Sequence, residues 1–151
     1  MSLRPIIVTP EQFRAFMTAM PEMWKEVLRS ASIRVASECD DLMPGPRTGR
    51  LQSSMRVNIV GDSLEIEWLS GIAPYAAFVE EGVPAHEILP VNKEVLKFRV
   101  GFQDIYAKHV HHPGFAAKPF SMRVGERAMQ IISEEVSNVF SQFGYGSVRK
   151  G

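Results

Sequence analysis

Apolar and polar positions change their period several times along this chain, and each change marks an element. Phe13, Phe16, Met17 and Met20 recur at helical spacing, and after Pro21 the pattern resumes with Met23, Trp24, Val27, Leu28, Ala31 and Val35, running to about Asp41. "TPEQ" stands in front of this stretch, with Thr9 placed to cap, Pro10 at the first helical position and Gln12 three residues after the cap. That is a capping box with proline where its missing N–H costs least. The pattern predicts helix over about 9–41, as two segments or as one kinked at Pro21. The apolar stripe reads as core, although the methionines Met17, Met20 and Met23 would also suit an adaptable contact surface.

Two prolines and two glycines in "MPGPRTGR", Met43 to Arg50, end the helical pattern and predict a mobile basic loop carrying Arg47 and Arg50. The period then switches to two. "MRVNIVGDSLEIEW" alternates apolar and polar residues on both sides of Gly61-Asp62, where a two-residue II′ turn fits, since glycine tolerates the positive φ it requires. Pairing outward sets Ile59 against Leu64, Val57 against Ile66 and Met55 against Trp68 on one face. Asn58 then meets Glu65, and Arg56 meets Glu67 as an opposite-charge pair, on the other. A one-residue slip would spoil both faces, so the register of a hairpin over about 53–69 is specified, with the six apolar residues buried together.

"APYAAFVEEG" predicts a short helix carrying Tyr75, Phe78 and Val79 and stopped by Gly82. "VLKFRVGF" alternates again, with Leu96, Phe98, Val100 and Phe102 on one side and Lys97, Arg99 and Gly101 on the other, and predicts a third strand. A fourth is expected over Ile105 to Val110, ended by His112-Pro113-Gly114. Phe120, Val124, Ala128, Ile131, Ile132, Val136, Val139, Phe140 and Phe143 then return to helical spacing, with Glu126, Arg127, Glu134 and Glu135 mostly away from them. They predict a long amphipathic helix over about 119–143, followed by a frayed "GYGSVRKG". The expected class is α+β: a small antiparallel sheet of about four strands, over about 53–112, with helices before and after it.

Composition narrows the function more than the fold. The 151 residues carry 45% apolar and 23% charged side chains with formal net charge zero, which suits one soluble globular domain spanning 1–151 and gives no long-range pull toward nucleic acid or an anionic membrane. No stretch approaches the roughly 20 apolar residues of a membrane span, and no signal peptide is expected at the N-terminus. Cys39 is the only cysteine, so no intrachain disulfide forms. Flanked by Glu38 and Asp40, it is poorly placed to become a thiolate.

The candidate chemistry centres on histidine. "HVHHPGFAAKPF" places His109, His111 and His112 within four residues, and His86 lies upstream in "GVPAHEILP". A metal-dependent hydrolase using His86, His109 and His111 is one reading; His109 and His111 would share a face if the strand continued that far. Zinc sites draw ligands from fixed spacings on rigid elements, however, and neither H-E-x-x-H nor C-x-x-C occurs. The alternative gives the His-Pro-Gly a structural role, with Pro113 removing a ladder donor and Gly114 permitting a turn into the last helix. Glu80-Glu81 read as a solvated helix face, and "GPRTGR" lacks the order of a phosphate-binding loop.

The order of the pieces resembles the minor tail component family of long-tailed phages and prophages, which covers head–tail joining and tail-completion proteins. The marks are "RTGRLQSSM" (Arg47 to Met55), a β-hairpin, "PYAAFVEEG" (Pro74 to Gly82) and "KPFSMRVGERA" (Lys118 to Ala128) opening the last helix. "HEILPVNKEVLKFRV" followed by "VHHPGFAAKPF" resembles the insertion of the longer members. The resemblance covers roughly Thr48 to Ala128 and rests on order and spacing; "VPAHEI" after the Glu-Gly departs from the commoner pattern.

The resemblance implies a non-enzymatic virion assembly protein in the neck or head-proximal tail, assembled in the bacterial cytoplasm, with no catalytic residue, metal or cofactor. Its implied partners are copies of itself in a ring of about six subunits, the tail tube or tail terminator, and head-closure or connector proteins. DNA would pass through without sequence-specific contact. Arg47 and Arg50 of one copy against Glu80 and Glu81 of the next are the expected rim contacts. A generic protein-interaction module is a further alternative.

Overall fold

The computed structural model describes residues 9–45 and 49–144. The tail 145–151 and part of the basic loop, including Arg47, lie outside the described residues. Helix α1 (Pro10–Glu38) opens as expected: the Thr9 hydroxyl accepts from the Gln12 N–H at 3.2 Å, and the Gln12 side chain accepts from the Thr9 N–H at 2.9 Å. It runs through Pro21 as one element and ends three residues short of Asp41, giving way to a 3-10 turn at Asp40–Leu42. The "GR" that closes the basic loop starts a short helix, α2 (Arg50–Ser54), that the alternation concealed. Gly49, at φ 67°, makes the turn into it.

Hairpin β1 (Met55–Val60) and β2 (Ser63–Trp68) pairs in the expected register throughout, from Met55 with Trp68 to Val60 with Ser63. Met55 is buried, and Val57, Leu64, Ile66 and Trp68 pack against the core formed by Ala31, Val35, Cys39, Phe120, Val124 and Ile131. Two details depart from expectation. Ile59, near the tip, is exposed, although the tip itself is held to α1 by a hydrogen bond from Trp24 Nε1 to the Asp62 carbonyl at 2.8 Å. Arg56 stands opposite Glu67 in the ladder as expected but makes no ion pair with it: its guanidinium donates to the Ser53 and Met55 carbonyls, and Glu67 accepts from the Asn58 amide.

Helix α4 (Ser121–Gln142) runs antiparallel to α1, since Phe16 meets Phe140 while Glu38 meets Arg127. Met23, Val27 and Val139 form one buried cluster between the helices, and Ala31, Val35, Val124, Ala128 and Ile131 belong to the other. Of the expected apolar face of α4 only Phe143, at its end, is exposed. On α1 the correction is larger. Phe13, Met17 and Met20 are exposed: in this stretch the side of α1 packed on the Met23–Val27–Val139 cluster is the one carrying Phe16 and Ala19, and the fully buried core begins at Met23.

Glu135, expected on the polar face, is buried. Arg34 reaches it at 2.8 Å and also binds Glu38 at 2.7 Å and Glu134 at 2.7 Å, while Arg127 joins Glu38 at 2.6 Å. These bonds hold the Arg34 guanidinium above its ordinary range, with Glu38 the largest contributor, and hold the Glu38 carboxyl below its own, through Arg34 and then Arg127. The network clamps the two helices beside their apolar seam.

The remaining strands do not extend β1–β2 into one four-stranded sheet. They form two further ribbons: β3 (His86–Ile88) with β6 (Val110–His112), and β4 (Leu96–Val100) with β5 (Gln103–Ala107). The class is α+β as expected, with its strands parcelled into three antiparallel pairs among the described residues. The expected fourth strand, Ile105 to Val110, breaks at Lys108-His109. Its first part turns back on β4 and its end pairs with β3, a strand too short to register as a period.

Candidate functional site

Two of the stretches singled out in the sequence, "PYAAFVEEG" and "KPFSMRVGERA", meet at one junction. "PYAAFVEEG" forms α3 (Ala76–Glu81), which ends at Gly82 with φ 76°. The chain then runs beside the segment following the His-Pro-Gly: Val83 and Phe115 exchange both backbone hydrogen bonds at 2.9 Å, and the Lys118 N–H donates to the Val79 carbonyl at 2.9 Å. The crossing is tight. A Cβ on Gly114, at φ 75°, would run into the backbone of Val83 and Ala85; one on Gly82 would stand 2.5 Å from the Ala117 nitrogen. Only glycine fits at either position.

Glu80 sits at the centre of this junction. Its carboxylate accepts from the Phe120 N–H at 2.9 Å, the Ser121 N–H at 3.2 Å and the Ser121 hydroxyl at 2.5 Å. It thus caps the N-terminus of α4 from across the fold, where the helix dipole favours a negative charge. Burial pushes its pKa up; the bonds from Ser121 and Phe120 outweigh that and hold the carboxyl below its ordinary value. Glu80 is therefore not the free acid expected on a solvated face, and its carboxylate is occupied within its own chain. Its neighbour Glu81 is exposed, as is Arg50. Arg47, the other expected contact, lies outside the described residues.

Three of the four histidines, His86, His111 and His112, lie in the β3–β6 ribbon. His86 pairs across the ladder with His112, and their rings stack with centroids 5.0 Å apart. His86 Nδ1 stands 2.9 Å from the Pro84 carbonyl, so that nitrogen carries the proton; His112 Nδ1 accepts from the Gly114 N–H at 3.0 Å and thereby sets the turn. His111 lies on the opposite face of the ribbon and meets Glu87 at 2.6 Å. His109 falls in the break between strands and is exposed. His86 and His111 thus point to opposite sides, and the expected sharing of a face by His109 and His111 fails because no strand spans both. Among the described residues no three His, Cys, Asp or Glu side chains are grouped as a metal site.

Cys39 is buried, and burial, reinforced by Glu38 and Asp40 against the opposing Arg127, pushes its thiol up. No described helix is long and apolar enough to cross a membrane.

Beside the histidine pair lies an apolar groove of about 520 Å³, lined by Tyr75, Phe78, Val79, Val83, Ile88 and Phe115 together with His86 and His112. Phe78 is 60% exposed, so the groove is open to solvent. Sequence reasoning missed it, because its walls come from α3, β3, β6 and the turn after β6, none of which shows apolar periodicity across the gap between them. Beyond this ribbon β4–β5 projects as an arm. Compared with models of protein families, with curated proteins and with solved structures, the chain matches none.

Proposed function

We propose that this chain is a non-enzymatic assembly protein of a tailed phage or prophage virion, one that joins or completes the tail at the head–tail interface as a subunit of an oligomeric ring around the DNA channel. One observation carries the reading. The stretches that resemble the minor tail component family, "PYAAFVEEG" and "KPFSMRVGERA", are bonded to each other through Glu80 and the opening of α4, so they act as one structural junction rather than as unrelated matches. Further support comes from the open surfaces: an apolar groove, a projecting arm and the methionine-rich start of α1 are contact features. Zero net charge suits a bore that DNA must pass through without being held.

The ring is of about six subunits, following the sixfold tail symmetry the resemblance implies and the rule that a heterologous contact closes when its rotation does. Neighbouring proteins are the tail tube or tail terminator on one side and head-closure or connector proteins on the other. Arg50 and Glu81 remain candidates for a rim ion pair, worth only about 0–1 kcal/mol. Disrupting the gene in the parent phage or lysogen tests the reading. The expected result is heads and tails that fail to join in electron micrographs, with the chain found in intact wild-type particles by mass spectrometry. Joined, infectious particles in undiminished yield would refute it.

A further inference from the structure

Among the described residues, the β4–β5 arm has an apolar face that is left largely open. Its register sets Phe98 against Ile105 and Val100 beside Gln103, with Leu96 and Ala107 at its base. Phe98 and Ile105 are each 37% exposed and Val100 is 57% exposed. The opposite face is charged: Lys97 and Arg99 both bind Asp104, at 2.9 and 3.2 Å, and Lys97 also lies over the Tyr106 ring. At the tip, Gly101 turns the chain at φ 62° and Phe102 stands fully exposed. Hairpin turns of this kind ordinarily present polar residues, and an isolated two-stranded hairpin is marginal in water. This one carries a phenylalanine into solvent.

The same chain holds a site that fits it. The groove beside the stacked histidines is apolar along its walls and large enough for an aromatic side chain with its neighbours. Charge matches as well. From Lys93 to Lys108 the arm carries Lys93, Lys97, Arg99 and Lys108 against Glu94 and Asp104, so it is net basic. Glu81 is exposed at the end of α3, the helix that forms one wall of the groove. An apolar knob and an apolar hole on different parts of one surface are the elements of a heterologous, head-to-tail contact.

We propose that the arm of one copy inserts Phe102 and the apolar face behind it into the groove between α3 and the β3–β6 ribbon of the next copy. The proposal deepens the assembly reading above by naming the contact between subunits. Four aromatics, Phe98 and Phe102 meeting Phe78 and Phe115, can bury at most about 150–250 Å² each, and less where they are already partly covered. That falls short of the roughly 1,200–2,000 Å² of a stable standard interface. A single contact is therefore weak, and closure of the ring supplies the rest, because the last contact is made within one assembly.

Sedimentation of the full chain and two variants, alone and mixed, tests this. Phe102→Asp breaks the arm and leaves the groove; Phe78→Asp breaks the groove and leaves the arm. Both positions are exposed, and circular dichroism checks that each variant folds. The wild type is expected to form closed oligomers as concentration rises toward about 1 mM, the weak limit of specific association. Each variant alone should lose association by at least about tenfold in dissociation constant. An equimolar mixture can make one good contact per pair and cannot close a ring, so it should give at most 1:1 dimers. A wild type that stays monomeric throughout, a variant that assembles like the wild type, or a mixture that forms anything larger than a dimer would each overturn the contact. Assembly that ignores both substitutions would leave the virion role standing while removing this interface. Loss of the virion role in the gene disruption would leave the contact to be judged by sedimentation alone.

Discussion

Two hairpins with nearly the same alternation have opposite fates in this molecule. β1–β2 turns at Gly61-Asp62 and lays most of its apolar face on the helices, with its tip fastened by Trp24. β4–β5 turns at Gly101-Phe102 and leaves its apolar face half open, with Phe102 in water. The difference lies outside the strands. The first hairpin follows α2 directly and is pressed against the α1–α4 seam; the second is strung between the arms of a three-residue ribbon, beyond the reach of either long helix. Period two therefore specifies register and face in both, but not what covers the face.

The comparison is broken most severely from the side of the body. Ile131→Ala removes a fully buried side chain from between α1 and α4 and should cost about 2–5 kcal/mol of stability, read from urea unfolding of the dilute chain. If the loss falls below about 0.5 kcal/mol, the helical seam is not where stability resides. Gly114→Ala should come next. It forces a Cβ into the Val83–Ala85 backbone at a positive φ, and strain of that kind costs about 1–3 kcal/mol. A neutral result would mean that the crossing beside His112 is looser than the geometry requires.

Glu80→Gln should cost about 1–2 kcal/mol at pH 7, as the loss of a charged helix cap. The sign with pH follows from the lowered carboxyl pKa. Unfolded, the group titrates near its ordinary value of about 4.3. The stabilisation it provides is fully present above that pH and is lost as pH falls toward the lower folded value. The gap between wild type and variant should therefore close in acid. A gap that stays constant from pH 7 to about pH 3 would assign the effect of Glu80 to packing rather than charge.

Much of this body was legible because local and tertiary signals agree there. The capping box at Thr9, the β1–β2 register and the stop at Gly82 each rest on bonds between near neighbours, and the structure reproduces them. What was not legible depends on partners distant in sequence. Nothing local marks Glu80 as the cap of a helix that begins 41 residues later, or Arg34 as the partner that lets Glu135 be buried. Phe13 and Met17 read as core because helical spacing links them to Phe16 and Met20; only where α4 lies decides that Phe16 and Ala19 are the ones covered. The histidines were half legible. The turn role of the His-Pro-Gly follows from Pro113 and Gly114, whereas the His86–His112 pairing needed a strand of three residues that no periodicity reveals.

The smallest effects are expected in the arm and on the outer face of the ribbon. Phe102→Ala in the dilute chain should change unfolding free energy by no more than about 0.5 kcal/mol, since the side chain touches little there. His109→Asn with His111→Asn should be similarly mild and should leave metal content unchanged. Stoichiometric zinc that is lost together with structure on chelation would contradict that.

The central claim is that the body is closed within one chain while the arm and groove await another copy, and amide hydrogen exchange followed by mass spectrometry tests it most directly. In dilute protein, β1–β2 and the α1–α4 seam should be protected and residues 96–107 should exchange fast. On raising the concentration, new protection should appear in two places together, over 96–107 and over α3 at Ala76–Glu81. An arm as well protected as β1–β2 in the dilute chain, or protection that never changes with concentration at either place, would contradict the account.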